Sequence, residues 1–453
     1  MNINSSVFRT LVTTLLITPI IDFSALPLKA QAPYDRTSDQ HTFTVFMQDG
    51  GWCWFQDPRA IIHDEKFILG SVKGNGSGSA FAGVYDLRHN NQLGKVMLKD
   101  DFDHDDHNAP VFYTRPDGRI LAVYARHHLD KFHHYRISEP DDPLRWREEM
   151  TYGHDYPGAD NVTYMNLYYM EKEGKLYNFF RGTNFDPSFI TSTDHGMTWG
   201  EPTHLIASEI EGRHRPYARY TGDGTQTVHI SFTDAHPHMY GNSIHYAAFR
   251  SGKFYRVNGD KIKDLSREGP LKPRESEQIF KGSGQKEDQM GISAHESAWT
   301  SSISIDENGF PHIAYTLYIS NHDHRYRIAS WNGEKWIDRE VAFGGKCLYT
   351  QESSYTGLIT LDPKDPSVVV ISTDVNPRDG TDKGGKHEIY RASVGPDDDI
   401  ATIRWEAITE NSPVRNLRPI IVCGEGYRVI CWLRGQYNTY TDYDLDAVGF
   451  IEK

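Results

Sequence analysis

His107-Asn-Ala-Pro-Val-Phe-Tyr-Thr-Arg-Pro-Asp-Gly-Arg-Ile-Leu-Ala-Val-Tyr124 contains a polar opening, a short apolar run, an Arg-Pro-Asp-Gly turn and a second apolar run. Pro and Gly at the turn, between runs rich in Val, Ile, Phe and Tyr, read as a β-hairpin. The pattern opens at six further places: Gln56-Asp-Pro-Arg59, Asn161-Val-Thr-Tyr164, Arg213-His-Arg-Pro-Tyr217, Trp299-Thr-Ser-Ser302, Ser354-Tyr-Thr-Gly357 and Arg418-Pro-Ile-Ile421. The openings lie roughly 50 to 65 residues apart, with one interval near 86. That spacing suits one hairpin-built unit repeated seven times, so the expected fold is all-β, a seven-bladed β-propeller of four-stranded antiparallel blades.

The rest of the chain agrees with this reading. Period-2 alternation runs throughout, and no long amphipathic helical stretch is evident. Thr191-Ser-Thr-Asp-His-Gly-Met-Thr-Trp199 carries the S-x-D-x-G-x-x-W pattern of an Asp box, a turn-fixing motif. Trp146, Trp336 and Trp405 fall late in their units, where they can pack between blades. The long interval is assigned to an insertion over about 251–296, rich in Lys and Arg, read as a solvated surface excursion at the end of blade four.

Residues 1–32 read as an export signal: Arg9, an apolar stretch from Leu11 to Ile21, then Ala30-Gln-Ala32 as a cleavage site. The expectation is a secreted or periplasmic monomer whose propeller occupies 33–453, with no membrane partner. Four cysteines, Cys53, Cys347, Cys423 and Cys431, are too few and scattered for a disulfide framework. A formal charge of −14 argues against a nucleic-acid partner, so any anionic substrate must meet a local basic patch.

In a propeller, the start of each inner strand meets the end of the second strand of the same blade, because the two are antiparallel and joined by a tight turn. This rule gathers His107, Tyr164, Arg215 and Tyr217 from the openings with Arg126, His127, His128, Arg181 and His236 from the second-strand ends. Arg and His supply positive charge, and His and Tyr can move protons. Such a set suits β-elimination of a uronic-acid polysaccharide, in which a carboxylate must be neutralised, the C5 proton removed and the leaving O4 protonated. Positive neighbours favour both a phenolate and a neutral imidazole. The bland reading has each residue as channel filling, or as an arginine bracing blades through carboxylates.

At these residues the chain resembles the BNR-repeat proteins that include the propeller ulvan lyases. The resemblance rests on Gly51-Trp-Cys-Trp-Phe-Gln-Asp-Pro-Arg59, Asp106-His-Asn-Ala-Pro110, Arg126-His-His128, Thr163-Tyr-Met-Asn-Leu167 with Arg181, Arg215-Pro-Tyr217 and the Asp234-to-His238 segment. It implies a lyase acting on ulvan, an anionic sulfated polysaccharide, between sulfated rhamnose and glucuronic or iduronic acid. It further implies His107 and His128 as catalytic histidines, Tyr164 in proton transfer and Arg181 as carboxylate neutraliser. Arg126, His127, Arg215, Tyr217 and His236 become substrate contacts, and His127 can replace His128, since the adjacent pair leaves the register open.

The chemistry implied needs no cofactor, but similar lyases hold structural metal ions. Cys347 with His322 and His324, joined by His236 or His238, is a candidate zinc set, because thiolate and imidazole suit tetrahedral zinc. A free Cys347 among surface histidines is the alternative, and calcium at Asp-rich turns is another. Two competing functions remain. A sialidase-like glycosidase would need a Glu beside a Tyr nucleophile, and none is evident beside Tyr217; a non-catalytic carbohydrate-binding propeller would bind without forming product.

Overall fold

The computed structural model describes residues 43–74, 76, 78–153, 158–210, 215–286, 296–382 and 384–453. The expected leader and the start of the fourth opening, Arg213 and His214, lie outside the described residues.

Seven antiparallel sheets make up the blades, six of them continuous in the chain with the first strand innermost. The inner strands are Ala60–His63, Val111–Thr114, Thr163–Met170, Ala218–Gly222, Ser297–Ile305, Ile359–Leu361 and Arg415–Gly424. Each neighbours the next, and the seventh neighbours the first, which closes the ring. The chain is a seven-bladed β-propeller. Every opening read from the sequence lies at, or within a few residues of, the start of one of these strands. Blade seven takes its outermost strand from the beginning of the described chain, Thr44–Met47, which pairs with Asp442–Glu452. This clasp covers a sheet edge and ties the two ends of the ring together.

Blade contacts are apolar. One core cluster joins blades three and four through Phe179, Tyr220, Phe232 and Phe249, and another joins blades five and six through Tyr326, Val341, Ile359 and Ile371. The late tryptophans sit where their spacing placed them: Trp336 packs on Tyr246 of blade four at 5.3 Å, and Trp405 Nε1 donates to the Val341 carbonyl of blade five. The Asp box forms its turn. Asp194 accepts from the backbone N–H groups of Met197 and Thr198, Ser192 Oγ accepts from the Gly196 N–H, and Trp199 is buried.

Over 251–286 the insertion is more ordered than its charge suggests; 287–295 lie outside the described residues. Lys253–Tyr255 and Lys261–Asp264 extend blade four outward, and Glu277–Phe280 pairs with Ile244–Arg250. Between them a helical turn, Leu265–Glu268, is capped by Asp264 and buries Leu265. Strands of three or four residues interleaved with lysines carry too little alternation to be recognised in sequence, but pairing with an existing blade is enough to order them.

Gly51-Trp-Cys-Trp-Phe55 fills the channel. Trp54 lies 4.4 Å from Trp299 and stacks on Tyr355 at 5.6 Å; its Nε1 donates to the Thr356 carbonyl at 2.7 Å. Phe55 meets Tyr164 and Tyr217 edge-on. This aromatic plug forms a floor, and a cavity lies above it.

Candidate active site

The cavity has a volume of about 290 Å³ and is lined by residues from several blades, among them His107, His127, His128, Tyr164, Arg181 and Arg215. The antiparallel rule explains the convergence. Thr163 pairs with Arg181, so Tyr164 and Arg181 share one end of blade three; their guanidinium-to-ring distance is 4.9 Å. Tyr164 sits in a register irregularity between Thr163 and Asn166 with φ +62°, and His128 has φ +60°. Left-handed backbone at a Tyr and a His is costly and re-aims both residues at the mouth.

Asp105 organises the histidines. It caps the short helical turn Asp106–Asn108, accepting from the His107 backbone N–H at 2.9 Å. One of its oxygens lies 2.6 Å from His107 Nδ1 and the other 2.7 Å from His127 Nδ1. The two rings stack 3.8 Å apart and 10° from parallel. A carboxylate accepts only, so each Nδ1 carries a proton toward it and each Nε2 is left for other chemistry. The supports are equally specific. Asn108 Oδ1 accepts from the His127 N–H, Gln56 Nε2 donates to the His107 carbonyl, and Arg418 pairs with Asp106 at 2.6 Å.

The pair is electrostatically divided. Burial opposes a charge on His107, but the Cys53 sulfur and the Asp105 carboxylate more than offset it, and its pKa lies well above the ordinary imidazole value. Burial first, then the charge of His107, lowers His127 to about 4, against the pull of Asp105. The histidines in turn hold Asp105 well below the usual carboxylate range despite its burial. At neutral pH one ring is a cation and its neighbour is neutral. The expected phenolate is not favoured: burial, and then Tyr217, push Tyr164 well above the ordinary phenol value against the pull of His107 and Arg181, so its hydroxyl stays protonated.

The arginines divide as well. Arg181 donates to the Tyr217 hydroxyl at 3.3 Å, and among the described residues no carboxylate pairs with it. The Nε atoms of Arg181 and Arg215 are buried without hydrogen-bond partners. Arg215 interacts with the Asp160 carboxylate, whereas the half-buried Arg181 guanidinium has no carboxylate partner among the described residues and so favours an incoming anion. Arg126 does not line the cavity; it forms an ion pair with Asp103 at 2.6 Å, which satisfies the charge it was expected to offer substrate. Tyr217 and His236 line the wall, ring to ring at 5.0 Å. His128 also lines it, beside Phe185 at 5.0 Å, but the ring stacked on His107 belongs to His127.

The proposed zinc ligands are not gathered. Among the described residues, the groups of three close enough to share an ion are Cys53, Asp106 and His107, and Asp105, His107 and His127. The second is already hydrogen-bonded through protons, and in the first Asp106 is ion-paired to Arg418. His324 is buried with Nδ1 2.9 Å from the Gly345 carbonyl oxygen and Nε2 2.8 Å from that of Ser353, so its ring braces the backbone. His322 is exposed, and Cys347 donates its backbone N–H to Asn321.

Asp105, Glu352, Tyr355 and Tyr440 escaped the sequence reading. Asp105 sits in an Asp-His-Asp-Asp-His run whose density of carboxylate and imidazole was a usable signal. Glu352 comes from the connection between blades five and six, Tyr440 from the hairpin turn between the last two strands of the chain, in blade seven, and Tyr355 from the sixth opening itself, where the sequence assigns it no role.

A family model described as BNR repeat-containing family member matches residues 71–343. The chain belongs to the BNR repeat-containing family. Among solved structures, this BNR-repeat protein is similar to an ulvan lyase of polysaccharide lyase family PL25 bound to GlcA(1-4)Rha3S. The TM-score is 0.60 at 14% identity, covering 89% of this chain and 94% of that one. It is also similar to polysaccharide lyase Uly1, with TM-score 0.57 and 12% identity over 90% of this chain and 97% of that one. At such identity the likeness concerns the fold. No curated protein sequence matches the chain.

Proposed function

We propose that the protein is a polysaccharide lyase that cleaves ulvan by β-elimination, with preference for linkages to glucuronate. The observation that carries this reading is the Asp105-bridged pair, a cationic His107 stacked on a neutral His127 beside an Arg181 that lacks a carboxylate partner. The PL25 ulvan lyase of similar fold, bound to GlcA(1-4)Rha3S, supports the choice of polymer.

In this account Arg181, aided by Arg215, binds the uronate carboxylate and stabilises the charge that develops as C5 loses its proton. His127 Nε2 accepts that proton. The C4–O4 bond breaks, a C4=C5 double bond forms, and His107 gives O4 its proton while the Tyr164 hydroxyl hydrogen-bonds the leaving oxygen. One histidine gains the proton the other loses. The charge facing Asp105 is therefore the same before and after, and a proton shift between the rings restores the starting state.

Because both Nδ1 atoms are tied to one carboxylate and the rings are parallel, the two Nε2 atoms act from one side. Elimination is then syn. In a glucuronate chair H5 and O4 lie on the same face, whereas in iduronate, its C5 epimer, they lie on opposite faces. A Tyr nucleophile of the sialidase kind is disfavoured, since burial raises the pKa of Tyr217 against the pull of Arg181, although the fold does bring a Glu, Glu352, into the same cavity. Magnetic resonance of the products from an ulvan digest tests the proposal. The account expects unsaturated ends at rhamnose–glucuronate linkages, with rhamnose–iduronate linkages left in the resistant fraction; equal cleavage of both would overturn it.

A further inference from the structure

Below the aromatic plug the channel continues as a second cavity of about 230 Å³, lined by the inner strands of blades three to seven beyond the openings that hold the plug. Its charged groups are Asp57, which follows the plug directly, and Arg219 of blade four. Arg219 Nη1 lies 3.4 Å from Asp57 Oδ1, its Nη2 donates to the Trp54 carbonyl at 3.2 Å, and its guanidinium stands 5.0 Å from the Phe55 ring. The other Asp57 oxygen accepts from the Tyr168 hydroxyl at 2.9 Å. Arg59 is close enough to feel both charges, but its Nη atoms donate to the Met165 carbonyl and to Asn166 Oδ1.

The charges do not balance. Two guanidinium groups, each no more than 3% exposed, face one carboxylate, and among the described residues Asp57 is the only carboxylate lining the cavity. The Nε atoms of both arginines are buried without hydrogen-bond partners. Burial lowers the Arg59 guanidinium to about 10 against the pull of Asp57, and the like charge of Arg219 adds to the fall. Uncompensated charge away from bulk water is costly, and a counter-ion relieves it without a further side chain. The excess is one positive charge, which a monovalent anion cancels and a divalent one overshoots. The wall suits such an ion. Ser302 Oγ accepts from the Leu361 N–H at 3.2 Å and keeps its O–H to donate, and Thr221 and Thr360 add hydroxyls.

We propose that the lower channel is a binding site for a small monovalent anion of the halide class, chloride above all, held beside Arg219. The ion neutralises the arginine pair beneath the plug. Arg219 supports the Trp54 carbonyl, and Arg59 supports Met165 and Asn166 at the irregularity that aims Tyr164, so the anion fixes the floor of the mouth and takes no part in the elimination.

Thermal melts at constant ionic strength, with chloride exchanged for gluconate, test the site. Raising chloride from about 1 to about 200 mM should raise the melting temperature of the wild type saturably, by about 2–4 °C, as an ion bound only by the folded chain does. In Arg219→Gln, which removes the excess charge and the Nε donor, the shift should vanish. A shift of the same size there would be a general salt effect and would overturn the proposal, as would a wild type whose melting temperature ignores chloride. Wild-type crystals grown in bromide give a measurement that does not depend on how well the variant folds. Anomalous density beside Arg219 below the plug is the expected result; bromide confined to exposed residues, with water at Arg219, would refute the site.

Discussion

Replacing Asp105 by Asn exposes the logic of the site. The carboxylate accepts from His107 Nδ1 at 2.6 Å, His127 Nδ1 at 2.7 Å and the His107 N–H at 2.9 Å. An amide of the same shape offers one oxygen acceptor and one NH₂ donor in the places of two acceptors, so one imidazole must present a bare Nδ1 and move its proton to Nε2. If that ring is His127, it ceases to be a base at Nε2. The substitution also removes the counter-charge that raises the His107 pKa, which costs the acid its proton. Hydrogen bonds to charged groups contribute about 1.5–3 kcal/mol each against about 0.5–1.5 for neutral ones, so exchanging two of the first kind for two of the second weakens the pair by roughly 2–3 kcal/mol. With base and acid both impaired, kcat should fall toward the upper end of the roughly 10²–10⁴-fold range for a positioned acid or base. The assay is initial-rate formation of unsaturated uronate from ulvan, run beside a thermal melt. A folded Asp105→Asn protein that kept kcat within about fivefold of the parent would refute the bridging role.

Tyr164→Phe deletes the hydroxyl and keeps the ring that packs on Phe55; it should cost about 10²–10³ in kcat with the melting temperature unchanged, and near-parental turnover would make Tyr164 channel filling. Arg181→Ala should lower kcat/KM for ulvan by about 10²–10³, whereas Arg126→Ala, which breaks only the pair with Asp103, should change it less than about threefold; similar losses in both would misplace the carboxylate. The pH profile of kcat/KM should be bell-shaped: activity is lost as pH falls through about 4, where His127 becomes charged, and is lost again as pH rises through the elevated pKa at which His107 gives up its proton. Both limbs belong to the coupled pair, so a profile without an acid limb in a folded protein would remove His127 as the base.

The ring was legible because each blade repeats one hairpin, and polar residues at the openings stand out against apolar strands. Inner-strand starts such as Ala60, Val111 and Ala218 follow the quoted motifs directly. The same periodicity places His107, Tyr164, Arg181, Arg215 and Tyr217 at one mouth, and all five line the cavity. Which of two adjacent histidines faces His107 was not legible. His128 adopts φ +60° and His127 takes the Asp105 oxygen, and neither backbone handedness nor hydrogen-bond choice follows from a His-His pair. Arg126 looked like Arg181 in sequence; only a neighbouring Asp103 distinguishes a satisfied cation from an open one. Tyr164 near arginines invited a phenolate, yet burial dominates its charge state, and burial depends on the aromatic plug contributed by a distant segment. Glu352 belongs to the connection between blades five and six and Tyr440 to a hairpin turn of blade seven, positions away from the openings and second-strand ends that the repeat aligns.

β-Elimination is tested most directly by following ulvan digestion with two signals at once, the absorbance of unsaturated uronate and the number of new reducing ends. The account predicts one unsaturated uronate for every reducing end released. Reducing ends that accumulate without the chromophore would mean hydrolysis and would contradict it.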